Sequence, residues 1–178
     1  AVMDAYAMSD GGGAGEVGLD NGSAKCLCED AGDAIEAALD AGRLALCAEA
    51  VGAMDVLKEM TKDYLMQRQQ FGRPIATFQA LQHRLVDLSI EIEQARSITI
   101  HAAGALDTPG RALAVAKAKN LIGRAGKLVA EEAIQLHGGI GMTWEYAGSH
   151  YAKRLTMLDA QLGDTEDQLR RVMELMAA

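Results

Sequence analysis

Ala133-Ile134-Gln135-Leu136-His137-Gly138-Gly139-Ile140-Gly141-Met142-Thr143 is the stretch around which the chain is organised. A helical pattern runs into it and stops at the paired glycines. Gly138 and Gly139 stand where a helix C-terminus takes a residue that tolerates positive φ. Gly141 follows, so three glycines within four residues strip a short bend of side chains. A flat or charged group can then approach the backbone. Taken alone, the stretch also reads as a plain helix stop followed by a turn.

Working outward, the composition says which elements flank the bend. The 178 residues suffice for one domain with a real core. Hydrophobic residues make up 49%, but aromatics only 4%. Alanine, leucine and methionine therefore carry the apolar surface, which favours helices over strands. Pro74 and Pro109 are the only prolines, so long helices can run unbroken. A net charge of −8 argues against nucleic acid as the main partner. Cys26, Cys28 and Cys47 lack zinc-site spacing, and His83, His101, His137 and His150 are scattered, so no metal site is expected. Free thiols and the lack of a long apolar run or leader pattern read as a cytoplasmic protein with no membrane span.

Along the chain, residues 1–30 stand apart. Asp10-Gly11-Gly12-Gly13-Ala14-Gly15 reads as a flexible break, and Asn21-Gly22 as a turn between short strands Glu16–Leu19 and Lys25–Cys28. This looks like the tail of a β-structure. From Asp33, with Glu36 as its capping-box partner, a helix is predicted to about Gln69. Thr77 is expected to cap a second helix over 78–106. A third spans 111–137 and a fourth 146–162, and Asp164 or Thr165 caps a fifth that runs to the end. The spacing of Ile35, Leu39, Leu46, Leu57, Leu85, Ile92, Leu121 and Leu128 puts them on buried faces. Short connections between long amphipathic helices predict an all-α antiparallel up-down bundle.

A second stretch, Arg68-Gln69-Gln70-Phe71-Gly72-Arg73-Pro74-Ile75, places a guanidinium fork suited to phosphate and an aromatic face at the end of the longest helix. Arg68-x-x-Phe71-Gly72-x-x-Ile75-x-x-Phe78-Gln79 and Gln135-Leu136-His137-Gly138-Gly139-x-Gly141 together resemble the acyl-CoA dehydrogenase family, in its C-terminal helical domain. Tyr151-Ala152-Lys153-Arg154-Leu155 and Gly163-Asp164-Thr165-x-x-Gln168-Leu169-x-Arg171 fit as well. The resemblance covers about residues 30–178 and makes residues 1–30 the end of the family's β-domain and its linker.

The resemblance implies FAD as cofactor, acyl-CoA as substrate and α,β-desaturation of the thioester, with FAD lying extended between subunits. It assigns Arg68, Gln70, Phe71, Ile75 and Gln79 to the dinucleotide. Gln135, Gly138 and Gly139 fall to its adenosine and pyrophosphate end, Thr165 and Glu166 near the flavin ring, and Arg43 to the acyl-CoA. The family's base is a glutamate, and its usual position here is Gly163. A minority of members carry it two residues after the Asp40 position, here Gly42. Glycine cannot act as a general base. Asp164 is a shorter neighbour that also reads as a helix N-cap, and Glu166 and Glu145 are weaker substitutes. Some bacterial members, of the pimeloyl-CoA dehydrogenase type and in steroid side-chain breakdown, pair a glutamate-bearing subunit with one that lacks it. This chain looks most like the second kind, a small subunit beside a sister dehydrogenase. The alternatives are a non-catalytic structural subunit and a helical oligomerisation module.

Overall fold

A computed structural model describes residues 2–20 and 22–177. At the N-terminus, Asp10-Gly11-Gly12 is a turn rather than a break. Met8 N donates to Gly12 O and Gly12 N to Asp10 Oδ1, with Gly11 at φ 85°. The turn joins β1 (Val2–Ala7) to β2 (Gly13–Gly18) in an antiparallel pair that aligns Met3 with Val17 and Tyr6 with Ala14. The expected strand at Lys25–Cys28 does not form, and the strand expected at Glu16–Leu19 is the end of β2. The glycine cluster, not Asn21-Gly22, reverses the chain; Asn21 itself lies outside the described residues.

Helix α1 spans Gly32–Gln67, α2 Gln79–Gly104, α3 Arg111–His137, α4 Ala147–Ala160 and α5 Thr165–Ala177. Two expected caps differ. Ala31 occupies the N-cap position of α1 without a side-chain bond, and Glu36 is drawn to Arg171 at 2.8 Å instead of reaching back to the cap. Thr77 closes a 3-10 turn over Ile75–Thr77 by donating to Pro74 O, which passes the N-cap position of α2 to Phe78. Between α1 and that turn lies a hairpin read from sequence only as a helix stop: β3 (Gln69–Gln70) pairs with β4 (Arg73–Pro74). Phe71 and Gly72 at its tip both have positive φ, 55° and 76°, the requirement of a type I′ turn.

Helix α3 is central and packs against the other four. Its buried face is built from Ala114, Ala118, Ala125, Ala130 and Ala133, with Gly123 and Gly126 among them. Small residues let neighbours come close: a Cβ on Gly123 would lie 2.1 Å from Asp159 Oδ1 and 2.2 Å from Thr165 Oγ1. Val51, Met54, Leu57, Leu65, Leu88, Ile92, Val115, Val129, Leu155 and Leu158 complete the core. Ile35 and Leu128, expected inside, are 55% and 41% exposed.

Helices α1 to α4 alternate in direction. The register is fixed by Arg84–Glu132 between the start of α2 and the end of α3, and by Lys119, which meets the end of α4. Helix α5 does not turn back up the bundle. Asn120 bonds Thr165 O at its start, and Arg171 shares Asp40 with Arg111 further along, so α5 continues the direction of α4 along α3. Leu162 at φ 58° and Gly163 at φ 97° make the joint.

Candidate functional site

The residues expected to meet cofactor or substrate, and the two base positions, fall at the two ends of α1, while Arg154 of the Tyr151–Leu155 motif bonds Glu49 midway along it. The run from Arg43 to Arg68 along α1 measures about 37 Å at a rise of 1.5 Å per residue.

At the far end of α1, Tyr64 stacks on His137 with ring centroids 4.7 Å apart, which brings the ends of α1 and α3 together. Arg68 O accepts from Ile75 N, closing the hairpin onto its stem. The side chains of Arg68, Gln70, Phe71, Gln79 and Gln135 are exposed, Phe71 at 89%, while Ile75 packs against the core. Arg73 lies 4.3 Å over the Phe78 ring, and Phe71 meets that ring edge-on at 6.0 Å. The hairpin thus has an aromatic and cationic base with Phe71 projecting from it.

Gly138 ends α3 at φ 67°, ψ −146°, a conformation essentially reserved for glycine. Gly139 is not left-handed, because a 3-10 turn over Gly138–Met142 takes over at once. A Cβ at Gly138 or Gly139 would have no other described residue within 4 Å, so the bend presents open backbone. Gly141 is different: its Cβ would lie 3.0 Å from His137 Cβ and 3.2 Å from Ile134 O, so the return against α3 requires glycine.

His137 is the floor of this end and not part of its surface. It is 4% exposed and lies between the rings of Tyr64 and Tyr146. Its Nδ1 is 2.7 Å from Ala133 O, so Nδ1 carries the proton and Nε2 accepts from the Tyr146 hydroxyl at 2.6 Å. Burial holds its pKa below the ordinary histidine value.

At the near end, Asp40 is wholly buried, and Arg43 at 2.9 Å, Arg171 at 3.0 Å and Arg111 at 3.2 Å converge on its carboxylate. Glu36 adds a second acceptor for Arg171 and Arg43. Arg43 also donates through Nε to Leu162 O at 2.9 Å, which ties the α4–α5 joint to α1. Gln168, also buried, donates to the same carbonyl at 3.3 Å. Gly42 faces this joint: a Cβ there would be 2.8 Å from Leu162 Cδ1. A Cβ on Gly163 would be 2.5 Å from Gln168 Nε2. The structure therefore brings Gly42, Arg43 and Gly163 together, with Leu162 and Gln168 occupying the space beside the glycines.

Asp164 is exposed, and its Oδ1 accepts from Asp167 N at 2.9 Å while Asp167 Oδ2 accepts from Asp164 N at 3.3 Å. That reciprocal pair is a cap for α5. Thr165 donates its hydroxyl to Asp159 Oδ1 at 2.8 Å, and Glu166 is exposed in the first turn of α5. Glu145 is exposed but lies at the other end of the bundle, just before α4.

Sequence reasoning passed over Lys119. It is 1% exposed, and its Nζ donates to Leu158 O and Asp159 O at 3.0 and 2.8 Å, satisfying the last carbonyls of α4. Burial lowers its pKa and raises that of nearby Cys47 to about 12. The readable signal was a second lysine, Lys119, two residues after Lys117 in an alanine-rich run and one helical turn from the apolar Val115 and Ile122.

A family model described as Acyl-CoA dehydrogenase, C-terminal domain, matches residues 31–177. The chain is 40% identical over 146 residues to Acyl-CoA dehydrogenase IpdE2 of Mycobacterium tuberculosis, covering 82% of this chain and 43% of that one. Among solved structures it is similar to a variant of the Tcur3481-Tcur3483 steroid ACAD, with TM-score 0.91 and 32% identity over 99% of this chain and 48% of that chain. It is also similar to a chain of the ChsE4-ChsE5 complex from Mycobacterium tuberculosis, with TM-score 0.89 and 26% identity, covering 99% and 49%. The chain thus spans less than half the length of these relatives. No helix among the described residues is long and apolar enough to cross a membrane. The chain belongs to the acyl-CoA dehydrogenase family, and residues 31–177 are its C-terminal helical domain.

Proposed function

We propose that this chain is the flavin-contacting part of an FAD-dependent acyl-CoA dehydrogenase that desaturates an acyl-CoA thioester, in the role of a small subunit that lacks the base and works beside a sister subunit. The observation that carries the reading is the open end of α1 and α3. Arg68, Gln70, Phe71 and Gln135 face outward there beside bare backbone at Gly138 and Gly139. This donor set fits a dinucleotide: a guanidinium for phosphate, amides for sugar and ring edges, and an aromatic face for a flat ring. It reads as half a site, since nothing among the described residues covers it from the other side. FAD bound there supplies the acceptor for a hydride leaving the substrate.

The separation of the two ends supports a cofactor shared between chains: Thr165 and Glu166 serve one copy of FAD, and the Arg68 and Gly138 end serves another. Arg43 is assigned to the acyl-CoA side, where it holds the α4–α5 joint in place. Neither Gly42 nor Gly163 has a side chain to take a proton, and Asp164 is engaged as a cap, so proton abstraction falls to the partner. Two structural relatives bear names of two-component assemblies, which supports a heteromer with a sister dehydrogenase. Residues 1–30 are read as the end of a β-domain and its linker, consistent with Met3 at 74% and Val17 at 61% exposure on the hairpin. Free Cys26, Cys28 and Cys47 support a reducing compartment, the cytoplasm.

The packing of Leu162 and Gln168 against the two glycines also favours a second reading, a structural subunit that stabilises a dehydrogenase without contacting its chemistry. Flavin separates the two. In the complete complex, Arg68→Ala should weaken FAD retention about ten- to a hundredfold, from loss of a charge-assisted contact of about 1.5–3 kcal/mol. Flavin content unchanged after dialysis would sink the flavin-contacting role and leave the structural one.

A further inference from the structure

Helix α4 ends without a glycine turn of its own. The chain leaves it through Gln161 in extended backbone, at φ −79° and ψ 131°, so its last carbonyls need partners from elsewhere. Lys119 reaches them from α3: its Nζ donates to Leu158 O at 3.0 Å and to Asp159 O at 2.8 Å. Fixing the backbone of Asp159 also aims its side chain, whose Oδ1 accepts from the Thr165 hydroxyl at 2.8 Å. One residue beyond Lys119, Asn120 Nδ2 donates to Thr165 O at 2.9 Å. Three residues further, Gly123 leaves room for the pair, since a Cβ there would overlap both Asp159 Oδ1 and Thr165 Oγ1. A little more than one turn of α3 thus grips Thr165 by its hydroxyl and by its carbonyl.

Helix α5 does not need this grip in order to start. Its cap is the reciprocal Asp164–Asp167 pair, and the joint before it is already tied to α1 through Leu162 O, by Arg43 and Gln168. Yet the grip requires an ammonium at 1% exposure, and a charge is costly to take out of water. What it adds is direction. A threonine in a helix divides between two χ1 rotamers, and the bond to Asp159 selects one. Thr165 is only half-buried, and Glu166 beside it is exposed, so the residue held in this way has an open side. We infer that Lys119 is a positioning residue for the flavin end of α5: through Asp159, and together with Asn120 and Gly123, it sets where Thr165 and Glu166 stand toward FAD. This rests on the flavin-contacting role proposed above, and it gives a function to a buried lysine that touches neither cofactor nor substrate.

The test uses the complete complex. Its readouts are FAD affinity and the visible circular dichroism of the bound flavin, with far-UV circular dichroism as the check on folding. Thr165→Val is the reference. It should weaken FAD binding about three- to tenfold, the loss of one hydrogen bond, and change the visible signal. Lys119→Met should do the same with Thr165 intact. So should Gly123→Ala, which removes no donor or acceptor and only crowds Asp159 and Thr165. Asp159→Leu should repeat the loss, and Asp159→Asn, which keeps an oxygen for the Thr165 hydroxyl, should recover most of it. Leu155→Ala loosens the buried face of α4 without touching these bonds and should leave the visible signal as it was. Should Lys119→Met fail to fold, Gly123→Ala and the two Asp159 variants decide. If Thr165→Val changes the flavin while Lys119→Met, Gly123→Ala and Asp159→Leu change it no more than Leu155→Ala does, the positioning role is overturned and the flavin contact stands. If Thr165→Val leaves affinity and visible signal unchanged, the flavin contact at this end falls, and the assignment of Lys119 falls with it.

Discussion

Where α1 and α3 begin, a carboxylate with no exposed surface is met by three guanidiniums; where they finish, Phe71 is 89% exposed and the backbone of Gly138 and Gly139 faces open space. The first end directs its polar groups at itself. Arg43 and Gln168 hold the α4–α5 joint through Leu162 O, Arg111 and Arg171 tie α3 and α5 to α1 through Asp40, and Leu162 and Gln168 fill the space beside the glycines there. The second end is well supported underneath, by His137 between two tyrosines, yet leaves its upper groups for another molecule. Substitutions at the first end should therefore cost stability, and substitutions at the second should cost binding.

The largest effect should come from Asp40→Ala. It leaves three arginines facing a buried gap, and breaking a buried ion-paired cluster costs about 3–5 kcal/mol. Urea denaturation would show it as a lower midpoint; a loss below about 1 kcal/mol would mean that the end is not sealed in the way the distances suggest.

Next is Gly163→Ala. The added Cβ strains a φ of 97° and meets Gln168, for a cost of about 1–3 kcal/mol. Gly42 is milder, since its neighbour is the flexible tip of Leu162. Thermal melts should rank Gly163→Ala well below Gly42→Ala, and the reverse order would refute the account of the joint. It follows that Gly163→Glu is a poor way to restore a carboxylate here. Gly42→Glu combined with Leu162→Ala gives the side chain room.

At the open end, His137 makes stability depend on pH. Its folded pKa lies below its unfolded value near 6.5. Above that value both states are neutral and nothing is lost. As pH falls below 6.5 the unfolded chain takes up the proton first, so stability declines toward the folded pKa. Denaturation midpoints at pH 7.5 and 5.5 should differ by less in His137→Gln than in the parent chain. An equal difference would remove His137 as the source.

The smallest stability effect, and the sharpest contrast, belongs to Phe71→Asn. Asn-Gly is the favoured pair for a type I′ turn and Phe71 holds positive φ at a cost, so stability should be unchanged or up by a few tenths of a kcal/mol. FAD retention in the complete complex should nevertheless fall. If stability drops instead, Phe71 is a packing residue and the end is not open.

The bundle was legible from local signals: Pro74, Pro109 and Gly138 punctuate it, and the inner stripes of α1, α2 and α3 keep helical spacing. Arg68 and Gly138 were legible as neighbours only through the family resemblance, because no local pattern reveals that Tyr64 stacks on His137. The Asp40 cluster was not legible at all. An aspartate early in a helix reads as a solvated residue, and its partner Arg111 lies 71 residues away. The direction of α5 was missed for a similar reason, since it hangs on Leu162 adopting positive φ, which leucine rarely does. Glycine at 42 and 163 was visible as a missing base, but not as a consequence of what fills the space beside it.

The salt bridge between Glu36 and Arg171 joins the first turns of α1 to α5 across 135 residues of sequence. At about 5–20 residues per second of synthesis, Glu36 is made about 7–27 s before Arg171, and Asp40 shortly after Glu36. During that interval Arg43 and later Arg111 can reach Asp40, but the last guanidinium is missing and the start of α1 cannot close. Translation thus sets a clock on this end of the bundle. The nascent chain must be kept from aggregating until α5 is made, and without α5 the longest helix is left unfastened at its root.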